Sequence, residues 1–176
     1  MKIKVVPRDF FAERMGSAEE VELLQNYRII SINTSSGSAA MPPFSDLRSE
    51  NLLCLTIDDI VWTIRGMVLF KNDHAESIWN FVEGCTLPLL IHCRAGVSRS
   101  GAVGEVLNWY FNSYLQQNGD DFAAFYQEHP QIEPNPHIRT VLLETLDRRL
   151  NLTNGSSWNL LKQEFEKVKS LQEGAK

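Results

Sequence analysis

Hydrophobic positions along this chain follow two periods, one near two residues and one between three and four. Lys2 to Val6 alternates like a short strand and stops at Pro7. Arg28 to Asn33 (RIISIN) is β-branched, and Leu52 to Ile57 (LLCLTI) reads as the next strand, ending at Asp58-Asp59. Leu87 to His92 (LPLLIH) is a continuous apolar run, as expected of a strand covered on both faces. Helical spacing fills the remainder. Ser17 followed by Glu20 is a capping-box pattern and predicts a helix to about Gln25. Ile78, Phe81 and Val82 mark one side of a helix from about Asp73 to Glu83. Val103, Leu107, Tyr110 and Tyr114 recur along a helix from about Ser100 to Leu115. Three more helices are predicted over 121–128, 136–150 and 157–171; the second has Pro136 in its first turn, where a missing N–H costs nothing. The last is amphipathic, either a packing helix or a partner contact.

Strands separated by helices, then a run of helices, predict a three-layer α/β domain with a small, mostly parallel central sheet flanked by helices. Ligands in such sheets sit beyond the carboxyl ends of strands. The loops after Ile57 and after His92 are therefore where chemistry is expected. Two stretches lack pattern: Thr34 to Ser49, containing SSGSAAMPPF, and Ile60 to Phe70. Loops of that length in a compact domain are often functional.

With 176 residues, 43% hydrophobic and 22% charged, the chain suits one domain spanning 1–176, with no internal repeat or linker. Seventeen basic against 22 acidic residues give a net charge of −5, which argues against non-specific binding to nucleic acid or anionic lipid. Three cysteines (Cys54, Cys85, Cys93) are too few and too widely spaced for a disulfide scaffold or a zinc site. The N-terminal apolar stretch is too short for a signal peptide, and no run approaches the ~20 residues needed to cross a bilayer. A monomeric cytoplasmic protein without membrane partner is expected, so the Asn-x-Ser/Thr triplets at Asn33, Asn151 and Asn154 carry little weight. His74, His129 and His137 are dispersed, and neither metal nor cofactor is expected.

The loop from His92 to Gly101 reads HCRAGVSRSG. Backbone N–H groups of a tight loop converge on one point, and the following helix adds its positive end. Both stabilise an anion, so Cys93 should ionise well below the ~8.5 of a free thiol. The same cradle, formed by Arg94, Ala95, Gly96, Val97 and Ser98, suits phosphate oxygens, with Arg99 supplying a planar fork for two of them. Gly96 lets the backbone bend, and Gly101 and Gly104 let the helix pack closely. A thiolate beneath a phosphoryl group is equipped for in-line displacement through a phosphocysteine. Taken alone, a cysteine ending an apolar strand is usually just a small buried hydrophobe.

HCRAGVSRS resembles the Cys-x5-Arg signature of the cysteine-based protein tyrosine phosphatases, and most of all their small dual-specificity-like branch. The resemblance is strong from Leu87 to about Trp109, looser from Leu52 to Gly84 and faint elsewhere. It implies a phosphotyrosine protein phosphatase-like fold acting on a phosphorylated protein or peptide. It also implies Cys93 as nucleophile, Arg99 as phosphate clamp, Ser100 assisting departure of the thiolate, and His92 orienting the loop and tuning Cys93. For His92, satisfying local hydrogen bonds is the alternative.

The leaving oxygen needs a proton from an acid on another loop. Asp58 and Asp59 both end the preceding strand. Leu53, Leu55 and Ile57 face one way; Asp59 continues that row, while Asp58 belongs to the other. The family strand often reads apolar-x-apolar-x-Asp, which matches Asp59 as general acid, with Asp58 as the alternative and a turn or cap role open to both. There is no Trp-Pro-Asp tripeptide.

Other readings stay open. Attack on an RNA 5′-triphosphate or a phosphoinositide uses the same loop chemistry, but Ala95 and Val97 stand where relatives acting on inositol lipids tend to have lysines. A non-catalytic phosphate-reading module and rhodanese-like sulfur transfer are further alternatives. Trp62, Phe44 and Met41 either wall the pocket against a tyrosine ring or pack in the core and anchor loops. Asn135 either N-caps a helix or bonds the active-site loops. Cys54 is either a plain buried thiol or a disulfide partner for Cys93, and Cys85 is structural.

Overall fold

The computed structural model describes every residue except 13, 15, 36–48, 175 and 176. Its four strands are β1 (Ile3–Pro7), β2 (Arg28–Asn33), β3 (Leu52–Thr56) and β4 (Leu89–Cys93), paired in parallel in the order β1-β4-β2-β3. Around them lie α1 (Asp9–Ala12), α2 (Ala18–Asn26), α3 (Asn72–Val82), α4 (Arg99–Asn108), α5 (Gly119–Glu128), α6 (Pro136–Arg149) and α7 (Ser156–Gly174). The predicted α/β architecture is present, and the pairing is parallel throughout. Helices lie in the crossovers from β1 to β2 and from β3 to β4, as parallel strands require long connections.

β4 lies between β1 and β2, and all five of its residues are buried. Alternation divides them between two cores. Leu89, Ile91 and Cys93 join Ile3, Val5, Ile30 and Ile32 under Ile78 and Trp79 of α3, Val103 and Val106 of α4, and Ile138 and Leu142 of α6. Leu90 faces the other way, packing with Ile29 and with Phe11 of α1, which are flanked by Leu23 and Leu24 of α2. His92 shares that second face, its ring 4.7 Å from that of Phe11. Cys93 thus emerges on the α4 side of the sheet and His92 on the α1 side.

The same register decides the fate of Cys54. It pairs with Ser31, and Ser31 pairs with His92, so Cys54 lies on the face opposite Cys93 and two strands away. A Cys54–Cys93 disulfide would require rebuilding the sheet. Nor is Cys54 a buried thiol: it is exposed on the edge strand, whereas Cys85 is buried, its thiol donating to the Leu87 carbonyl at 3.3 Å.

Several element ends differ from the pattern-based reading. Ser17 caps α2 by accepting from Glu19 N at 3.2 Å, but Glu20 reaches back to Gly16 N at 2.6 Å rather than to Ser17. The helix predicted from Ser100 to Leu115 is α4 followed by a π-helical stretch, Trp109–Leu115. A wide turn keeps Tyr110 stacked on Tyr114, ring centres 5.9 Å apart, so apolar spacing alone did not distinguish it from an α-helix. The exposed N–H edge of β1 is covered in part by His129, whose Nε2 accepts from Val5 N at 3.0 Å.

α4 lies against β1 because position 104 lacks a side chain. A Cβ on Gly104 would stand 2.5 Å from Val5 Cγ2 and 3.2 Å from Phe125 Cζ. Val5 is buried and stiff at χ1, so it has no low-cost way to yield. Gly104→Ala is expected to destabilise the fold by about 1–3 kcal/mol through overpacking, seen as a Tm several degrees lower in a calorimetric scan at unchanged helical content.

Candidate active site

At the carboxyl end of β4 the chain turns through Arg94 to Ser98 and enters α4 at Arg99. Gly96 holds φ at +69°, and a Cβ there would fall 2.6 Å from Pro7 N and 2.7 Å from Val6 C. Only glycine satisfies both the left-handed backbone and this contact with the end of β1. Arg8 N, bonded to Arg94 O at 3.2 Å, ties the loop to the same strand end. From the other side, Glu133 N bonds Val97 O at 3.3 Å and Asn135 N bonds Ser98 O at 3.2 Å. The loop is thus clamped by β1 and by the entrance to α6.

Cys93 is 2% exposed, and its Sγ lies 3.0 Å from Ser100 Oγ. Burial pushes its pKa up, but hydrogen bonds from the Ser100 hydroxyl and N–H and from Val97 N–H, with the Arg99 charge, outweigh burial and leave it below the ordinary 9.0. The sulfur therefore sits at a focus of donors, as the loop geometry predicted.

Arg99 is buried at the head of α4, its Nη1 donating to the Ile57 carbonyl at 2.7 Å. That bond anchors the guanidinium to the residue directly after β3. Nε is buried without a hydrogen-bond partner among the described residues, a donor left for an oxyanion. Ser98, at the N-cap position of α4, makes no side-chain cap and instead donates its hydroxyl to Asp59 Oδ1 at 2.7 Å. The first amides of α4 are thereby spared for the loop's interior.

The two aspartates have separate fates. Asp58 is 1% exposed and wrapped by donors: the hydroxyls of Thr34 and Ser35, Ser35 N at 3.0 Å and Val68 N at 2.6 Å. Burial alone would raise its pKa; these hydrogen bonds reverse the effect and bring it to about 2. It is a permanent anion that ties the loop after β3 to the loop after β2, unsuited to delivering protons near neutrality. Asp59 is exposed beside the cysteine loop, its Oδ1 accepting from Ser98 and from Asn135 Nδ2 at 2.8 Å. Asn135 does both things the sequence left open: its Oδ1 caps α6 by accepting from His137 N and Ile138 N, while its amide holds Asp59.

His92 is fully buried. Desolvation lowers its pKa, the Cys93 carbonyl raises it, and the Arg8 and Arg99 charges lower it again, to about 4. The ring is neutral at pH 7 and brings no charge to the sulfur. Of the aromatic candidates, Trp62 is 67% exposed and packs in no core, while Met41 and Phe44 lie outside the described residues. The Thr34 and Ser35 contacts to Asp58 were not foreseen; the only trace in the sequence is a pair of hydroxyl residues directly after a strand. His137, read as a dispersed histidine, bonds the Phe70 carbonyl through Nε2 at 2.9 Å and so closes the loop that carries Asp59 onto α6.

A group with its folded pKa below its unfolded one stabilises the fold above the unfolded value, and that gain is lost as pH falls. For Asp58 the window runs from the ordinary 3.8 down to about 2. Asp58→Asn is expected to remove on the order of 2 kcal/mol of stability at pH 7. It should also flatten the loss between pH 4 and 2, as read by urea midpoints across pH.

Comparison with solved structures matches this arrangement to known folds. A human tyrosine phosphatase-like serine/threonine/tyrosine-interacting protein superposes with a TM-score of 0.54 at 20% identity, covering 84% of this chain and 93% of that one. DUSP15 gives 0.47 at 20% identity, covering 93% and 90%, and PTPMT1 in complex with PI(5)P gives 0.48 at 15% identity, covering 85% and 93%. No family model matches the chain, and neither does any curated protein. With β4, the cysteine loop and α4 in the places described, this chain has the protein tyrosine phosphatase fold.

Proposed function

We propose that this protein is a phosphoprotein phosphatase that hydrolyses phosphotyrosine through a phosphocysteine, with activity extending to phosphoserine and phosphothreonine as the open alternative. One observation carries the reading: the Cys93 sulfur sits where the Ser100 hydroxyl, two backbone amides and the Arg99 charge together hold its pKa down. Such a focus stabilises a thiolate and, above it, the equatorial oxygens of a phosphoryl group. Arg94 to Ser98 supply the cradle, and Arg99 clamps the phosphate.

The two steps balance on the residues present. Cys93 thiolate attacks phosphorus, an S–P bond forms, the bond to the leaving oxygen breaks, and Asp59 gives that oxygen its proton. Water then attacks phosphorus and loses a proton to the Asp59 carboxylate. The S–P bond breaks, and the Ser100 hydroxyl stabilises the returning thiolate. Ser98 and Asn135 keep Asp59 at the rim of the loop throughout. Arg99 and the amides supply the charge complementarity, so the scheme draws on no metal.

Activity against pH should rise as the thiol of Cys93 loses its proton, below the ordinary thiol range. Cys93→Ser is expected to abolish turnover of para-nitrophenyl phosphate while retaining vanadate or phosphate binding; full activity in that variant would refute the assignment. Asp59→Asn is expected to lower kcat on phosphotyrosine peptides by about 10²-fold or more. Asp58→Asn should cost far less kcat in protein that remains folded. If instead Asp58→Asn alone causes the large loss, the acid has been misassigned.

A further inference from the structure

Past Asp59 the chain runs Ile-Val-Trp-Thr-Ile-Arg-Gly-Met, and most of its large apolar side chains do not join the core. Trp62 is 67% exposed, Met67 40%, Val61 37% and Ile64 36%. Among the described residues, these are four of the seven exposed large apolar side chains. Exposing so many in one short stretch forgoes burial that each would gain elsewhere in the fold, which marks an apolar binding surface.

Between this stretch and the segment from Glu133 to Pro136 lies a groove of about 390 Å³. Trp62, Ile64, Pro134 and Pro136 line its length, and Asp59 and Ser98 stand with them. Neither Cys93 nor any residue from Arg94 to Val97 lines it. The groove therefore opens beside Asp59 and Ser98, at one edge of the phosphate cradle rather than over Cys93. Its walls are already in place: Asn135 Nδ2 holds both Asp59 and, at 3.4 Å, the Ile60 carbonyl, and Met67 N closes a turn onto Ile64 O at 3.1 Å. Such preorganisation lowers the entropic cost of binding. The volume is near the lower end of ligand pockets, roughly 300–1,000 Å³, room for a side chain or two. Among the described residues, Asp59 and Glu133 are the only charged ones lining it, so additional phosphates, as on a phosphorylated headgroup or a nucleotide, would be repelled there.

We propose that this groove is a subsite for an apolar side chain next to the phosphorylated residue of a protein substrate, with Trp62 and Ile64 as its specificity-determining residues. The inference rests on the phosphatase reading and adds to it a substrate class: phosphopeptides with a large apolar residue, and no acidic one, beside the phosphorylated position.

The test is a phosphotyrosine peptide set in which each flanking position carries Phe, Leu, Ala or Glu in turn. At one flanking position kcat/KM should fall in the order Phe or Leu, Ala, Glu, with about tenfold or more between the first and the second. Trp62→Ala should collapse that ratio, and Ile64→Lys should turn the preference toward Glu. Dissociation constants measured on Cys93→Ser, and on Cys93→Ser carrying Trp62→Ala, provide the same ratio without turnover. Equal values across the set, or a preference that survives Trp62→Ala, would overturn the subsite. If wild type turns over neither the peptides nor para-nitrophenyl phosphate, the phosphatase reading fails, and the Cys93→Ser binding ratios alone decide the groove.

Discussion

Hydrogen bonds from Val97 N–H, Ser100 N–H and the Ser100 hydroxyl meet at the sulfur of Cys93, with the Arg99 charge close by. A buried thiol left to itself would hold its proton, because desolvation opposes the anion. Keeping that convergence means holding a strand end, a five-residue loop and a helix start rigid with respect to one another. Much of the nearby architecture serves that requirement. β4 is covered on both faces, β1 abuts Gly96, and the segment before α6 bonds Val97 and Ser98 from the far side.

A second rigid unit brings Asp59 to the rim. Its anchor is its neighbour: Asp58, buried and ionised, collects donors from the loops after β2 and β3 and fixes where the next residue emerges. Arg99 joins the two units through its bond to the Ile57 carbonyl. Asn135 completes the frame, capping α6 with one end of its amide and holding Asp59 with the other. Adjacent carboxylates thus have different duties because one faces donors inside the protein and the other faces solvent beside the cysteine loop. The outward course of the Val61–Met67 stretch follows from the same anchors. With Asp58 and Val68 bonded at its base and Asn135 at its side, the segment between them is held away from the core.

The sequence by itself determined the strand and helix pattern and the three-layer parallel architecture. It also showed a cysteine and an arginine separated by five residues at the junction of a buried strand and a helix. Those features are local: apolar periodicity, a glycine where the loop must bend, and a helix start next to the cysteine act over a few residues and so are written in consecutive positions. Alternation along β3 does not separate Asp59 from Asp58, because the strand ends at Thr56 and both aspartates lie in the loop beyond it. Tertiary structure decided what depends on residues far apart in the chain. Thr34, Ser35 and Val68 made Asp58 structural; Asn135 took on two roles at once; sheet register placed Cys54 on the face opposite Cys93; and a wide helical turn replaced the end of the α4 helix. Trp62, which the sequence left open between walling the pocket and packing, is 67% exposed in a loop bonded at its base through Asp58 and Val68. Periodicity reports which face of an element is apolar, and only the packed fold says what that face meets.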